Sequence, residues 1–292
     1  MISPARLGYA LLMTGIVASL ADARSIYVDN LNGSDSYDGT SATIATKFSG
    51  PLQSIRRALK LAVGGDSIVI RNTGAPYAEV LNLAGGRHSG YPSEPFTIYG
   101  NGAVLSGVAT LPSDGWQRQS DGLWRLSLTR KGSYRFFRAG LPVAEHVFSS
   151  RDWSPEELPL DHWTSHRGAV LFRFDDRQTP VAETWTYAAA ELGISLVDVR
   201  HLRIVDLQIV GFRVDGVNAD NNCRDVVLEN VTVHNNGRAG LAVGGTSEVS
   251  LVNCRILDNG RHSVLITERG GLQISDSDLG GVEPEVQAIV VP

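Results

Sequence analysis

A repeat of 23 to 24 residues in the last third of the chain is the feature that most restricts its fold. Four successive units share it: residues 193–215, 216–239, 240–262 and 263–285. Each unit holds three short runs of alternating apolar and polar residues, separated by Gly, Asn and Asp. Such alternation is typical of strands with one buried face. Because one unit cannot bury its inner face alone, the repeat predicts stacked coils around a continuous apolar core.

The four units align in columns of like residues. Two predicted inner columns are aliphatic throughout: Leu202, Val226, Val249 and Leu272, then Ile204, Leu228, Leu251 and Ile274. A turn column reads Asp206, Asn230, Asn253 and Asp276. Asn and Asp tolerate the left-handed backbone of a sharp turn, and stacked amides can hydrogen-bond to one another. The alignment therefore predicts a polar ladder at one corner of the coils.

The N-terminal part of the chain predicts the start of the same solenoid beneath a helical cap. Residues 25–28 and 66–70 have the pattern of strands, and residues 51–63 place apolar side chains on one stripe of a helix that ends before Gly64. A helix here covers the unpaired edge of the first coil, which would otherwise aggregate. We assign residues 24–109 to this cap and first coil, and residues 191–292 to the later coils.

The period, the aliphatic columns and the Asn ladder together resemble the right-handed parallel β-helix superfamily of pectate-lyase-like proteins. The run G-P-x-x-S-I-x-x-A-L, followed by G-D-S-I-V-I, is similar to the opening segment of many secreted β-helix proteins. A leucine-rich repeat has a similar period, but its L-x-x-L-x-L-x-x-N frame is absent. The predicted fold class is therefore all-β, a right-handed parallel β-helix solenoid with an N-terminal capping helix and an inserted β-rich subdomain.

That insert is predicted over residues 110–190, where the repeat is lost and all five tryptophans lie. One interpretation is that aromatic rings stack on the apolar faces of sugars, with Trp153 and Trp163 as the substrate-binding candidates. The other is that the tryptophans form the core of a small subdomain, because Trp is mostly buried in folded proteins. The sequence leaves both interpretations open.

Residues 1–23 have the order of a secretory signal peptide: Arg6, an apolar run from Leu7 to Leu20, and the small pair Ala21 and Ala23 around Asp22. An uncleaved anchor is the alternative, although the run is short for a membrane span. No later segment is apolar enough to span a membrane, so we expect a secreted or periplasmic protein. A net charge of −5 argues against nucleic acid as a partner.

Export permits disulfides, but the two cysteines are not placed to form one. The repeat separates Cys223 and Cys254 by several residues of extended chain, at about 3.3 Å each, whereas a disulfide needs Cα atoms within about 7 Å. We therefore predict two free, mostly buried thiols.

The polar loop 29–40 is a candidate calcium site. It gathers Asp29, Asp35 and Asp38 with two Asn side chains, and oxygen ligands on a flexible loop suit Ca²⁺. Its spacing matches no EF-hand, and turns closed by Asp and Asn side chains explain the same residues. Calcium is thus one possible cofactor, and no other metal site is predicted.

The resemblance implies a substrate groove along the first parallel sheet of the coils and the turn that precedes each of its strands. Ionisable and polar residues at those positions supply the candidates. The catalytic candidates are Asp215, Asp220, Arg238, Arg261 and His262, and the further substrate-binding candidates are Arg213 and Asn218. Because adjacent coils lie about 4.8 Å apart, the sequence predicts that the catalytic candidates share one patch.

Two mechanisms fit these residue types. In β-elimination, Arg238 or His262 removes a proton beside a uronate carboxylate that Arg261 or Ca²⁺ stabilises. In hydrolysis, Asp215 and Asp220 act as acid and base. Structural roles stay open: an Arg after Asn-Gly can satisfy turn carbonyls, and His262 can be a simple surface residue.

The sequence supports two hypotheses for function. The first is a secreted carbohydrate-active protein that acts as a lyase, hydrolase or epimerase on an acidic polysaccharide. The second is a non-catalytic exported module that binds glycan or serves in surface assembly. The chain ends at residues 288–292 inside a new coil, so a partner or a second copy is also predicted to pair with that open coil.

Overall fold

The computed structural model describes residues 23–129, 132–150, 152–175, 179–180 and 185–280. The predicted signal peptide therefore lies outside the described residues except for Ala23. The open coil predicted at residues 288–292 lies outside them as well.

Two parallel sheets form the walls of the solenoid. The first holds nine strands of the described chain: β1 (Ser25–Val28), β2 (Ser67–Ile70), β4 (Phe96–Ser106), β14 (Arg200–Val210), β16 (Arg224–Glu229), β17 (Thr232–His234), β19 (Glu248–Val252), β20 (Arg255–Leu257) and β22 (Gly271–Ser275). The second holds five: β3 (Leu81–Ala84), β13 (Leu192–Val197), β15 (Asp215–Asp220), β18 (Ala239–Val243) and β21 (His262–Ile266). All pairings within both sheets are parallel, so each coil adds one rung to each wall.

The register of the first sheet confirms the predicted columns. Leu202 pairs with Val226, Val226 with Val249, and Val249 with Leu272. The aliphatic side chains of the described inner coils are almost fully buried in one continuous core that also includes the cap. The fold is therefore the predicted all-β parallel β-helix.

The polar ladder is also confirmed. Asn230 and Asn253 have φ values of 54° and 52°, the left-handed conformation predicted for this corner. The Asn230 side-chain amide donates to Oδ1 of Asp206 at 3.1 Å, and that of Asn253 donates to Oδ1 of Asn230 at 3.4 Å. The ladder joins coils through side chains where the strands end.

The capping helix is present but shorter than predicted. Helix α1 spans Ile55–Leu61 rather than residues 51–63. It begins at Ile55 because the Ser54 hydroxyl accepts from the Arg57 amide, and the Asp35 carboxylate holds the backbone of the two residues before Ile55. Its buried side chains, among them Ile55 and Leu59, join the core as the amphipathic pattern requires. A second short helix, α2, spans Gly85–His88.

A mostly antiparallel sheet interrupts the solenoid between the first and later coils. Its eight strands in the described residues are β5 (Val108–Thr110), β6 (Trp116–Ser120), β7 (Leu123–Leu126), β8 (Phe136–Arg138), β9 (Leu141–Glu145), β10 (His162–His166), β11 (Ala169–Arg173) and β12 (Trp185–Ala188). They lie in the order β5-β12-β8-β9-β10-β11-β7-β6. Short 3₁₀ turns occur at Ser113–Gly115 and Pro155–Glu157. We call this sheet and its loops the insert.

Both cysteines are free and buried, as predicted. Burial raises the pKa of the Cys223 and Cys254 thiols, so both stay protonated and behave as small core residues.

The carboxylates of loop 29–40 act as turn acceptors rather than as one cluster. Asp29 accepts from the amides of Leu31 and Asn32 and pairs with Arg71 at 2.9 Å. Asp38 accepts from Thr40, while Asp35 holds the start of the capping helix. Within the described ranges, no three His, Cys, Asp or Glu side chains are grouped to hold a metal ion. The loop geometry therefore follows the turn interpretation.

Candidate functional site

The outer face of the five-stranded sheet carries two rows of side chains. Ser195, Asn218, Ala242 and Leu265 form one row across four rungs. In the other row a Cβ on Gly244 would lie 3.2 Å from Oδ1 of Asp220 and 3.1 Å from Oγ1 of Thr267, so Gly244 lies between these side chains. We call this face the strip: it is polar at Ser195 and Asn218, whereas Ala242 and Leu265 are buried in a small apolar cluster with Ala239.

Asp215 is the centre of a hydrogen-bonded network at the start of strand β15. Its carboxylate is fully buried and receives Nε of Arg238 at 2.9 Å and Nη2 of the same residue at 2.5 Å. The Asn218 amide donates to the same carboxylate at 3.2 Å. The hydrogen bond from Arg238 to Asp215 raises the pKa of that guanidinium. The pair is therefore a charged structural clamp between adjacent coils.

Arg261 and His262 lie on the next rung beside Arg238. Both of their amides donate to the Arg238 carbonyl at 3.0 Å. The Arg261 side chain is exposed and that of His262 half-buried. The structure thus brings Asp215, Asn218, Arg238, Arg261 and His262 together along one edge of the outer face.

The insert packs against this same edge. Its segment before β8 approaches the turns so closely that a Cβ on Gly237 would lie 2.2 Å from the carbonyl oxygens of Ser133 and Arg213. This close approach requires glycine at the middle of the Asn-Gly-Arg turn. The Arg135 guanidinium then donates to the carbonyl of Asp258 on the following turn. The insert therefore forms a wall beside the strip.

Glu145, at the end of β9, adds to this wall a carboxyl group that no pattern in the sequence indicates. Burial against its neighbours raises its pKa, although the residue as a whole reaches the surface. The nearby charges of Arg261 and Arg135 act in the opposite direction. We call the set Arg135, Glu145, Arg238, Arg261 and His262 the turn-edge cluster. It combines three guanidinium groups, of which that of Arg238 is paired with Asp215, with one carboxyl whose proton is held more firmly than usual.

Asp220 does not join this cluster. It lies five residues beyond Asp215 on the same strand, so about 16 Å of extended chain separates their Cα atoms. Its Oδ1 accepts from the amide of Asn221 at 2.7 Å. Carboxyl pairs in glycosidases are about 5 to 9.5 Å apart, and one member must exchange its proton. Because Asp215 is buried in an ion pair and Asp220 is distant, the geometry does not support this pair as hydrolytic acid and base.

The remaining candidates separate into wall and core. Arg213 is buried beneath the turns and pairs with Glu191 at 3.5 Å. Trp163 was a sugar-binding candidate, but it is 1% exposed in the aromatic core of the insert, and its Nε1 donates to the carbonyl of Val143 at 3.0 Å. No ring face of Trp163 is free for a sugar, because Tyr134 and Phe136 pack against it.

Trp153 lies outside that core but is also covered on one face. Its ring stacks on Phe148 with centroids 3.9 Å apart and planes 4° from parallel. His166 packs against it at 4.8 Å. The half-buried Trp153 therefore organises the surface of the insert and offers at most an edge to a ligand.

A cleft of about 560 Å³ opens where the insert meets the first coil. Its lining includes Arg56, Glu79, Thr129 and Tyr187 together with several alanines. Glu79 is not free in it, since its two oxygens accept from the Ile55 and Arg56 amides at 2.9 Å each. The cleft is within the usual size range of small-molecule sites.

The family profile described as right handed beta helix region matches residues 191–283. Among solved structures, the complex of XylC with xylose aligns with a TM-score of 0.53 at 12% identity, over 87% of this chain and 58% of that one. Pectate lyase Pel9A aligns at 11% identity with a TM-score of 0.43, over 88% of this chain and 48% of its own. The GH136 lacto-N-biosidase from Eubacterium ramulus aligns at 14% identity with a TM-score of 0.42, over 87% and 41%.

The profile match and the similarity to XylC support the fold. The chain spans less than two thirds of each of those three proteins. No curated protein matches the sequence. Over the stretches that the structure describes, no helix combines the length and apolar character needed to cross a membrane.

Proposed function

We propose that this member of the right-handed parallel β-helix superfamily binds an acidic polysaccharide along the outer face of its five-stranded sheet. The single observation that carries the proposal is the turn-edge cluster, with Arg261 exposed, beside the polar residues Ser195 and Asn218 of the strip. A linear polymer with one carboxylate per sugar matches a strip bordered by guanidinium groups. Amides and hydroxyls of the strip, from Asn218 and Ser195 among others, suit sugar hydroxyls.

Local charge supports an acidic ligand over a neutral one. The whole chain carries a net charge of −5, so the grouping of arginines at this edge does not follow from the overall charge of the protein. Arg261 is exposed and lies on the rung next to Arg238. The Arg238 side chain is itself partly exposed, so part of its guanidinium is accessible. Guanidinium groups bind carboxylates through paired, charge-assisted hydrogen bonds. The solved complex of XylC, a protein of similar fold, with xylose supports sugar as the class of ligand.

Catalysis on that polymer is the second candidate function, and Glu145 favours it. A carboxyl whose pKa is raised by burial can hold a proton for a leaving oxygen, which hydrolysis requires. Alternatively, β-elimination needs a base beside the uronate and a cation on its carboxylate, for which His262 and Arg261 are neighbours on one rung. Arg238 is a poor base in this scheme, because its bond to Asp215 raises its pKa.

A binding panel tests the first proposal. The chain is titrated with pectate, alginate and chondroitin, and with a neutral polymer of similar length as the control. We expect binding of at least one acidic polymer, weakened by added salt because surface charge is screened, and little binding of the neutral polymer. Equal binding of neutral and acidic polymers would contradict the proposal.

Product assays on the same polymers test catalysis separately. Elimination gives unsaturated uronates that absorb in the ultraviolet, and hydrolysis gives new reducing ends without that absorbance. Binding without either product would leave the chain a non-catalytic glycan-binding module.

We also propose that the protein is exported, on the basis of the signal-like pattern in residues 1–23. Fractionation of expressing cells tests this directly. We expect the processed protein outside the cytoplasm, and retention of the full-length chain in the cytoplasm would contradict it.

A further inference from the structure

We propose that a second cleft, formed within the insert alone, binds a carboxylated sugar unit of an acidic glycan. We call it the insert cleft, with a volume of about 360 Å³. Its lining residues are Gln119, Ser120, Leu123, Arg125, Pro155, Glu156, His166, Arg167 and Leu171. Strands β6 and β7 lie at the opposite end of the insert sheet from β5 and β12. The insert cleft is therefore separate from the turn-edge cluster.

The floor of the insert cleft is apolar. Leu123 and Leu171 are 3% and 4% exposed and belong to a small cluster with Leu158. Their strand neighbours Trp124 and Phe172 point the other way, toward the aromatic core, so the cleft lies on the opposite face of the sheet. Together with Pro155, these two leucines make the base of the insert cleft apolar, as a site for the C–H face of a pyranose ring requires.

The walls supply cations and polar groups at the rim. Arg125 has a neutral partner, since its Nη1 donates to the Gln117 side chain at 3.3 Å. Arg167 forms no ion pair or side-chain hydrogen bond with any residue in the described ranges. Its backbone has a φ of 45° in the β10–β11 turn, before Gly168 at 76°, positions that Asn-Gly usually fills. From this turn Arg167 lines the insert cleft.

The one carboxylate in the lining offsets only one of the two guanidinium charges. Glu156 accepts a hydrogen bond from the Ser154 hydroxyl, and this bond lowers the pKa of the carboxyl. His166 is held neutral near pH 7, because burial and the charge of Arg167 lower its pKa. Two guanidinium groups therefore face one carboxylate above an apolar floor. A uronic sugar, with one apolar ring face and one carboxylate, complements all of these features.

The test compares two double variants of the full chain with the same change of charge. Arg125→Gln with Arg167→Gln removes the cleft cations. Arg200→Gln with Arg255→Gln, on exposed residues of the nine-stranded sheet, is the control. Both double variants are made in an Arg261→Gln background, so that binding along the outer face of the five-stranded sheet contributes little to the measured affinity. We expect a galacturonate trisaccharide to bind the cleft variant at least about tenfold more weakly than the control, a loss of about 1.4 kcal/mol. Equal affinities would overturn the proposal.

Two further arms keep the test decisive. If the cleft variant does not fold, fluorescence of the wild-type chain is used, because His166 in the cleft packs on Trp153. The galacturonate trisaccharide should change that emission, a neutral galactose trisaccharide should not, and Trp153→Phe should abolish the change. No change in the wild-type chain, or competition by inorganic sulfate at the same concentration as the trisaccharide, would contradict a sugar site. The emission of Trp153 reports on the insert and not on the outer face of the five-stranded sheet.

Discussion

Asp215 and Arg238 clamp two adjacent coils, with Nη2 of Arg238 lying 2.5 Å from Oδ2 of a carboxylate that has no solvent exposure. The clamp lies beneath the turn-edge cluster and fixes the backbone that carries Arg261 and His262. A residue pair that the sequence suggested as catalytic is thus the support of the site. Its role is to position the cations that a ligand would meet.

Breaking this clamp should destabilise the fold. Asp215→Ala leaves Arg238 and Asn218 without their acceptor, so the free energy of unfolding should fall by about 2–4 kcal/mol. Chemical denaturation measures the change. Asp220→Ala is the matched control, because Asp220 is exposed and its loss should change stability by about 0.5 kcal/mol or less. Similar effects of the two substitutions would contradict the structural role of Asp215.

The polar ladder gives a prediction that separates backbone strain from hydrogen bonding. Asn230 has a φ of 54° and both donates to and accepts from its neighbours in the ladder. Asn230→Gly keeps that conformation and loses the bonds, whereas Asn230→Ala loses the bonds and adds strain. The alanine variant should be less stable than the glycine variant by about 1 kcal/mol. The reverse order in denaturant titrations would show that the left-handed turn is not retained in solution.

Trp163 and Trp153 should respond differently to truncation. Trp163→Ala removes a fully buried ring from the insert core and should lower the free energy of unfolding by about 3–5 kcal/mol. Trp153→Ala removes a half-buried ring and should cost less. Thermal and chemical unfolding of the two variants checks the order. A tolerated Trp163→Ala combined with lost glycan binding would instead restore the sugar-stacking interpretation.

Protonation of the buried His88 should destabilise the fold at acidic pH. The Ala84 amide donates to its Nδ1 at 3.0 Å, so Nε2 carries the proton and faces the Leu59 carbonyl at 3.0 Å. Burial lowers the pKa of His88 below the ordinary 6.5, so the unfolded chain binds more protons than the folded one as the pH falls. The stabilisation is complete above pH 6.5 and is lost as the pH falls through the lowered pKa of His88.

The pH dependence is measured by denaturant titrations between neutral and acidic pH. The free energy of unfolding should decrease more steeply in the wild-type chain than in His88→Gln. A residual slope is expected in the variant, because burial also lowers the pKa values of His166 and His234. Identical slopes in the two proteins would contradict the assignment.

The periodic part of the fold was readable from sequence because each coil repeats the same packing problem. Val226 and Val249 share a column since both must fill one layer of the same core. Asn230 and Asn253 were found in the same way, because a left-handed turn recurs at each corner. The start of helix α1 at Ile55 was not predicted, because the pattern of apolar residues begins before the point where Ser54 and Asp35 hold the backbone.

The site was harder to predict because it depends on contacts between segments without a common period. No pattern near Glu145 in the sequence indicates that it lies beside Arg135 and Arg261. Arg261 is more than one hundred residues away along the chain. The docking of Ser133 on Gly237 creates that neighbourhood. The one local signal was the Asn-Gly-Arg turn, whose glycine marks a close approach. Asp220 was predicted to share a patch with Asp215 because both residues belong to the same strand. The two residues lie at opposite ends of that strand, and an outward position does not give the distance between them.

Binding along the outer face of the five-stranded sheet is tested most sharply by the affinity of an acidic oligosaccharide for two single variants that lose the same charge. Arg261→Gln alters the turn-edge cluster, and Arg255→Gln alters an exposed position on the nine-stranded sheet. With a galacturonate oligomer long enough to span several coils, calorimetry should show affinity at least about tenfold weaker for Arg261→Gln. The affinity of Arg255→Gln should match that of the wild-type chain. Equal affinities of both variants for the oligomer would contradict binding along the outer face of the five-stranded sheet.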